Sequence, residues 1–295
     1  MPRSPHAARR TRAASAVAVL ATTAIATACS TGGLPESATE QGDHVTSLWK
    51  IFLTLAAIIS ALIWVLTAMV VISSVRRRRA EGRDGIPVQH QYRVKLEIAY
   101  TIAPLVIVAV LLALTFQTTS KLTNTSGAPD QLVVKVTGFQ WQWQFDYPDE
   151  RITVSGNPQV LPEMWLPVGR SIRFEVESPD VIHSFWVPDF LEKRDLIPGV
   201  TNTMEVDVKA PGQWIGRCAE YCGFNHWLMK FAVCAVPEDV FDDWVRETAA
   251  RPQPVVAGEL MDESSGSTTP AEGSRRCPST PTSDVGFAPT AQGPS

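Results

Sequence analysis

The sequence contains few histidines and cysteines, and it has two long stretches without any charge. Five residues of each type occur among 295, and no Cys-x-x-Cys-His motif is present. The missing motif excludes a covalently attached c-type haem, and so few histidines leave no set of haem ligands for oxygen chemistry. Residues 51–75 and 98–116 carry no charged side chain. These stretches point to a chain that crosses a membrane.

Each uncharged stretch is long enough to span, as a helix, the roughly 30 Å apolar layer of a bilayer. Arg76–Arg79 follow the first stretch at once, and Arg93, Lys95 and Lys121 flank the second. Basic residues between two spans place the connecting loop on the cytoplasmic side, so both ends of the mature chain lie outside. The alternative for each stretch is a buried core helix. We predict a transmembrane hairpin over 47–118, with helices over about 49–75 and 96–117.

The N-terminus is typical of an exported bacterial protein. Four arginines precede an apolar stretch from Ala13 to Ala28, and Cys29 comes directly after it. A basic segment, a short apolar segment and small residues before the cleavage point form a signal peptide, which we assign to residues 1–28. The junction resembles a lipoprotein cleavage site, so we expect lipidation of Cys29 and an outer segment over 29–46. The alternative is an ordinary signal peptide or an uncleaved first helix, with Cys29 incidental.

Beyond about residue 128, apolar and polar residues alternate, as in half-buried strands. The alternation occurs in 139–147, 172–177 and 204–209, and turn residues such as Pro198-Gly199 and Pro211-Gly212 separate the stretches. Several short strands of this kind predict an all-β sandwich or small barrel, here over 125–250.

The C-terminal part of the chain changes character twice. Pro237 to Thr248 is predicted to form a closing amphipathic helix with Val240, Phe241 and Trp244 on one side. From about Arg251, Pro, Ser, Thr and Gly dominate, so 251–295 is predicted to be a disordered tail.

The predicted β domain is acidic. Residues 121–247 hold 19 acidic and 11 basic side chains, a formal balance of −8. An acidic outer surface favours a basic protein partner through electrostatic steering. Simple solubility accounts for the same charge equally well.

One segment concentrates metal-binding side chains. Cys218, Cys222, His226 and Met229 lie within twelve residues, between two apolar stretches that are typical of strands. Thiolate, imidazole and thioether together suit copper that cycles between its cuprous and cupric states. A second cysteine allows two thiolates to bridge two coppers, and His183 is the other histidine of the predicted β domain. The alternatives are a mononuclear blue-copper site, a disulfide, a zinc site, and a Met229 that only fills the core.

Residues 47–248 resemble cytochrome c oxidase subunit II throughout, which implies two transmembrane helices followed by a cupredoxin-like sandwich. The resemblance is most specific in the family's pattern for the binuclear copper centre CuA, H…C-x-E-x-C-x3-H-x2-M. This sequence matches every position of the pattern with His183, Cys218, Glu220, Cys222, His226 and Met229.

The resemblance also implies a role for each of these residues. Cys218 and Cys222 bridge the coppers, and the two histidines are terminal ligands. Met229 is a weak ligand to one copper, and Glu220 offers its backbone carbonyl to the other. The Glu220 side chain is implied to reach a magnesium ion shared with subunit I.

Two weaker matches lie outside the copper pattern. Residues 97–104 resemble the start of the family's second helix, where Glu97 stands at the mouth of a proton-uptake channel. An interfacial carboxylate beside Lys95 is the alternative. Residues 138–143 resemble the aromatic stretch where cytochrome c docks, with Trp141 as the residue that receives electrons. Alternation alone would instead place Trp141 and Trp143 on one strand face as packing residues.

The resemblance therefore implies a subunit that takes electrons from a separate c-type cytochrome and passes them to haem in subunit I. Oxygen reduction and proton pumping belong to that other subunit. Expected partners are subunit I, further oxidase subunits and membrane lipids, with no nucleic acid. The expected location is a bacterial plasma membrane with the copper domain on its outer face. The rival hypothesis is a membrane-anchored copper carrier or copper-delivery protein outside an oxidase.

Overall fold

The structure is a computed structural model, and it describes residues 33–81, 91–124, 127–128, 130–157 and 161–256. The chain divides into two units. One is helical and contains 46–115, and the other is a β unit that contains 37–45 and the chain from 116 onward. The predicted signal peptide over 1–28, Cys29 and Cys277 lie outside the described residues.

The helical unit confirms the two predicted apolar helices. Helix α1 spans Glu40–Glu81 and helix α2 spans Val94–Thr123, and both are long and apolar enough to cross a membrane. Both extend beyond the predicted spans of 49–75 and 96–117. Polar side chains outside the bilayer continue a helix readily. Acidic residues in the first turn of α1 and arginines in its last turn also complement the helix dipole.

The segment before the first apolar span is part of the β unit. Residues 37–45 pack on the sandwich, where Thr39 forms an antiparallel bridge with Val208. Gln41 donates to the Asp207 carboxylate over 2.5 Å and accepts from the Asp207 backbone N–H over 2.8 Å. Residues 37–45 of the outer N-terminal segment predicted over 29–46 therefore belong to the β unit.

The β unit is the predicted all-β sandwich, built from two sheets. The six-stranded sheet has the order β11-β3-β2-β1-β5-β8, and the five-stranded sheet has the order β4-β10-β9-β6-β7. The strands are β1 Leu132–Phe139, β2 Gln142–Tyr147, β3 Ile152–Ser155, β4 Glu163–Pro167, β5 Ser171–Glu177, β6 His183–Val187, β7 Glu192–Leu196, β8 Asn202–Asp207, β9 Gly212–Cys218, β10 Lys230–Val236 and β11 Val255–Val256.

The core forms where the inward faces of the two sheets meet. Trp143 of β2 is fully buried and lies edge-on to Phe185 of β6 and Phe231 of β10, with centroid distances of 6.1 and 5.2 Å. Phe185 and Phe231 stack on each other at 5.0 Å. Edge-to-face and stacked aromatic contacts add to the free energy gained by burying apolar surface. They fix the strands that hold the functional site.

The C-terminal boundary of the sandwich lies further along the chain than predicted. Helix α3 spans Glu238–Ala249 and buries Phe241 and Trp244, as its amphipathic pattern indicates. The chain then returns, and β11 pairs in parallel with β3. The predicted disordered tail is thus wrong for 251–256, because two valines extend the sheet there. The remainder of that tail, from 257, lies outside the described residues.

Candidate metal centre

Three neighbouring strands bring the predicted donors together. His183 is the first residue of β6, Cys218 is the last residue of β9, and Met229 immediately precedes β10. Strand β9 lies between β10 and β6, and Cys218 is in register with Phe185. The backbone N–H of Cys218 donates to the carbonyl of Met229 over 3.0 Å, which closes the loop from 219 to 228 at its base.

The donor atoms form a chain of short separations. The Sγ atoms of Cys218 and Cys222 are 3.9 Å apart, far longer than a disulfide bond, and both cysteines are free. Cys218 Sγ lies 3.9 Å from His183 Nδ1, and Cys222 Sγ lies 3.5 Å from His226 Nδ1. Cys222 Sγ also lies 3.8 Å from Met229 Sδ. Each sulfur therefore faces a different imidazole.

The main-chain carbonyl of Glu220 faces the donor atoms, whereas its side chain faces the solvent. Its main-chain carbonyl oxygen lies 3.2 Å from Cys218 Sγ, and its side chain is exposed. The carbonyl is therefore close enough to join the donor set. The carboxylate is free to contact a group outside this chain.

The two thiols differ in how easily they lose a proton. Burial raises the pKa of Cys218, but hydrogen bonds from His183 and from neighbouring backbone groups outweigh it and lower that pKa below the usual range. Burial and the negative charge of Cys218 both raise the pKa of Cys222. The protein alone thus favours one thiolate here. Two thiolates need added positive charge, which metal cations supply.

His183 is held from behind by Asp180, a residue that the sequence did not single out. His183 is fully buried, and its Nε2 lies 2.9 Å from Asp180 Oδ1. Burial alone lowers the pKa of His183, but its contacts with Cys218 and Asp180 outweigh this and raise it. Burial raises the pKa of Asp180, but hydrogen bonds from Gln140 N–H, His183, Val181 N–H and Ser178 outweigh it, so Asp180 stays ionised.

The turn between β1 and β2 lies against the cysteine loop. Trp141 Nε1–H and the Gln140 side-chain amide both donate to the carbonyl of Cys222, over 3.2 and 2.8 Å. Gly223 permits this approach, because a Cβ there would lie 3.1 Å from Gln140 Nε2 and 3.3 Å from Trp141 Cζ2. Trp143, by contrast, is buried in the core and donates to Met229 O over 3.3 Å. Trp141 lies in the turn and is partly buried against the same core, so both tryptophans have a packing role.

Glu97 lies elsewhere, in the first turn of α2. Its carboxylate accepts a hydrogen bond of 3.0 Å from the backbone N–H of Arg93. The contact satisfies one of the free N–H groups at a helix start. Within this chain Glu97 therefore has a local helix-capping contact, and a proton-uptake role stays a prediction.

The third described cysteine behaves differently from the pair. Cys234 of β10 is buried and disulfide-bonded. Cys218 and Cys222, by contrast, are free. The disulfide bond of Cys234 was not predicted, because the residue lies in an apolar stretch that is typical of a buried strand.

Large apolar side chains on the cysteine loop face the solvent. Tyr221, Phe224 and Trp227 are 77%, 85% and 68% exposed. Exposed aromatic side chains this close together in the sequence are typical of a surface that contacts another protein. This surface surrounds the segment 218–229, which carries four of the five sulfur and imidazole donors.

Comparison with known proteins identifies the family. Residues 153–236 match the family "Cytochrome C oxidase subunit II, periplasmic domain". A probable cytochrome c oxidase subunit 2 from Streptomyces avermitilis is 32% identical over 297 aligned residues, covering 85% of this chain and 90% of that protein. The chain belongs to the cytochrome c oxidase subunit 2 family. A subunit 2 from Alkalihalophilus pseudofirmus is 36% identical and covers 66% of this chain and 57% of that protein.

Among solved structures, the periplasmic domain of subunit II of cytochrome oxidase from Bradyrhizobium japonicum is 35% identical. It covers 40% of this chain and 92% of that domain, with a TM-score of 0.37. Membership in the cytochrome c oxidase subunit 2 family, together with two apolar helices, makes the chain a membrane protein with an outer-face β domain. His183, Cys218 and Cys222 form a buried group able to hold a metal ion, which in this family indicates a copper site.

Proposed function

We propose that this subunit 2 holds two copper ions as a CuA centre between His183, Cys218, Glu220, Cys222, His226 and Met229. Through this centre it accepts electrons from a c-type cytochrome on behalf of haem in subunit I. The copper pair supplies one-electron redox chemistry when bound. The protein supplies the donors, their orientation and a site largely shielded from water.

The spacing of the donors supports two ions rather than one. Metal–nitrogen and metal–sulfur bonds of about 2.0–2.3 Å require the ligands of one ion to lie within about 4.6 Å of each other. The donor atoms of His183, Cys218 and Cys222 satisfy a similar limit, since they all lie within 4.8 Å of one another. His226 is not a member of that group, yet its Nδ1 is 3.5 Å from Cys222 Sγ. The donor set is therefore elongated, with one imidazole at each end and the two cysteine sulfurs between them.

The chemistry of the donors supports copper over zinc. A tetrahedral zinc site needs four thiolate or imidazole ligands around one point and has no use for a thioether. Here Met229 Sδ is buried 3.8 Å from Cys222 Sγ. Soft sulfur donors with an imidazole at each end suit copper. The short distance to Cys222 supports Met229 as a weak ligand that would tune the reduction potential.

Several features support the proposed partners. The acidic β unit suits a basic cytochrome, and Trp141 touches the backbone of the bridging residue Cys222. The exposed aromatic residues of the cysteine loop offer a contact surface for another oxidase subunit. The exposed Glu220 carboxylate is available for a magnesium ion shared with subunit I. We place the protein in a bacterial plasma membrane, surrounded by lipids, with the copper unit outside.

Electron paramagnetic resonance of the purified full-length chain loaded with copper tests the centre. One unpaired electron shared equally by two coppers gives a seven-line pattern, and copper analysis should give two ions per chain. A four-line pattern from a single copper, or a site that accepts only zinc, would refute the proposal.

Purification from the membrane tests the oxidase assignment separately. A tagged chain should co-purify with a haem-bearing, many-helix subunit. Recovery as a lone copper protein would instead support the rival copper carrier. The proposed roles of Glu97 and Glu220 both require subunit I. In the assembled oxidase, replacing Glu97 should therefore lower proton pumping, and replacing Glu220 should lower magnesium binding.

A further inference from the structure

The two imidazoles of the site have unequal surroundings. His183 is fully buried, and Asp180 lies 2.9 Å from its Nε2. His226 is partly exposed, and the described residues provide no hydrogen-bond partner for its Nε2. Because an ionised carboxylate can only accept, the Asp180 contact requires a proton on His183 Nε2. This leaves Nδ1, which faces Cys218, free to bind a metal.

Asp180 makes a second connection through its other oxygen. Its Oδ2 accepts the backbone N–H of Gln140 over 2.7 Å, and Gln140 precedes Trp141. Its Oδ1 also accepts from the backbone N–H of Val181, over 2.6 Å, and from the Ser178 hydroxyl, over 3.1 Å. Four donors from two separate chain segments therefore orient one carboxylate. Both of its oxygens are used, and an amide with a single oxygen cannot reproduce this arrangement.

We propose that Asp180 is a positioning residue that fixes the tautomer and orientation of His183 and holds the Trp141 turn against the copper loop. The inference rests on the proposed copper site. A carboxylate behind a metal-binding imidazole makes that imidazole a stronger donor and so favours the oxidised metal. Asp180 thus lowers the reduction potential of the centre through His183. Among the described residues, His226 has no carboxylate in the equivalent position.

The decisive variant is Asp180→Asn, made in the full-length chain within the oxidase complex. It preserves size but removes the negative charge and one acceptor. We expect two coppers to remain, the midpoint potential to rise, and the nitrogen hyperfine coupling of one of the two imidazoles to change. Asp180→Ala should weaken copper binding by about 10- to 100-fold, as is typical when the support of a metal ligand is lost.

Asp146→Asn is the matched control. Asp146 is another partly buried aspartate of the sandwich, and it accepts from Thr153 and Gln144 rather than from a copper ligand. It should change neither the potential nor the nitrogen couplings. If Asp180→Asn has the same potential and couplings as the wild type and this control, the proposed role of Asp180 is wrong.

A measurement on the wild-type protein covers the case in which Asp180→Asn does not fold. In the copper-loaded chain, the Nε2 proton of His183 should exchange with deuterated water much more slowly than that of His226. Equal, fast exchange of both protons would overturn the proposal. Absence of a binuclear copper signal from the wild type would instead defeat the copper site itself, so the two failures are distinguishable.

Discussion

The indole N–H of Trp141 lies 3.2 Å from the carbonyl oxygen of Cys222 and donates a hydrogen bond to it. An aromatic ring in a surface turn is thereby connected, through one hydrogen bond and a few covalent bonds, to a sulfur in the centre of the site. The Gln140 amide shares the same carbonyl, so two side chains of one turn hold the loop residue in place.

Replacing Trp141 by Phe tests this connection. The ring remains but the donor is lost, so we expect slower reduction by a c-type cytochrome with an unchanged copper spectrum. The free energy of unfolding should fall by only about 0.5–1.5 kcal/mol, the usual net value of one hydrogen bond. Stopped-flow reduction measures the first effect. Trp186→Phe is the control, because Trp186 stacks with Arg217 and touches no donor of the site; equal rates in both variants would contradict the connection.

Gly223→Ala tests the close packing of the turn on the loop. Gly223 has φ +117°, and an added Cβ would press on Gln140 and Trp141. Backbone strain of this kind costs about 1–3 kcal/mol, and here the hydrogen bonds to Cys222 should also be displaced. We expect lower stability together with slower reduction by the cytochrome.

Gly169→Ala is the control that separates the effect of backbone strain from the effect of contact with the Trp141 turn. Gly169 also has a positive φ, of +83°, but nothing lies within 4 Å of an added Cβ. This variant should lose a similar amount of stability and yet be reduced at the wild-type rate. A slowed Gly169→Ala variant would show that strain alone accounts for the effect.

The cysteines provide a third prediction. Cys218→Ser and Cys222→Ser should each abolish the binuclear signal, because each removes a sulfur that the proposed pair of coppers would share. Cys234→Ser should keep the signal and lower the free energy of unfolding by about 2–4 kcal/mol, as is typical for loss of a disulfide. Electron paramagnetic resonance and thermal unfolding of the same preparations distinguish the two classes. Loss of the signal in Cys234→Ser would contradict the proposed ligand set.

Glu150 should make the stability of the protein depend on pH. Burial raises its pKa, and one of its carboxylate oxygens is buried with no partner among the described residues. Its favourable contribution is complete below the ordinary carboxyl pKa and is lost as the pH rises through the elevated folded value. Glu150→Gln should therefore raise the unfolding temperature at neutral pH, with a smaller gain in acid. A gain in unfolding temperature that does not depend on pH would refute the explanation.

The sequence predicted the donors better than it predicted their support. Four of the donors lie in one short segment: Cys218, Cys222, His226 and Met229. Thiolate, imidazole and thioether groups together indicate a copper site, so the sequence was enough to predict them. Asp180 contacts His183, three residues later, and Gln140, forty residues earlier. Only the pairing of distant strands reveals the contact with Gln140. Alternation predicted the strands correctly but not that Trp141 falls in a turn.

The ends of the helices and the end of the sandwich were also predicted less well than the elements themselves. The predicted spans followed the apolar residues, whereas the helices continue through polar side chains to Glu40 and Glu81. Strand β11 consists of two valines in a segment rich in proline. A pairing that short has no recognisable period, so only the neighbouring β3 shows that it belongs to the sheet.

The main-chain hydrogen bond between Cys218 and Met229 closes the segment 218–229 at its base. This segment is therefore a structural unit that could be exchanged as a whole. Its length and end geometry are fixed by two adjacent strands, while His183 comes from the next strand. An exchange of these twelve residues, together with one histidine, would carry the whole donor set to another sandwich with the same strand spacing. The rest of the fold could then diverge widely while the chemistry stays intact.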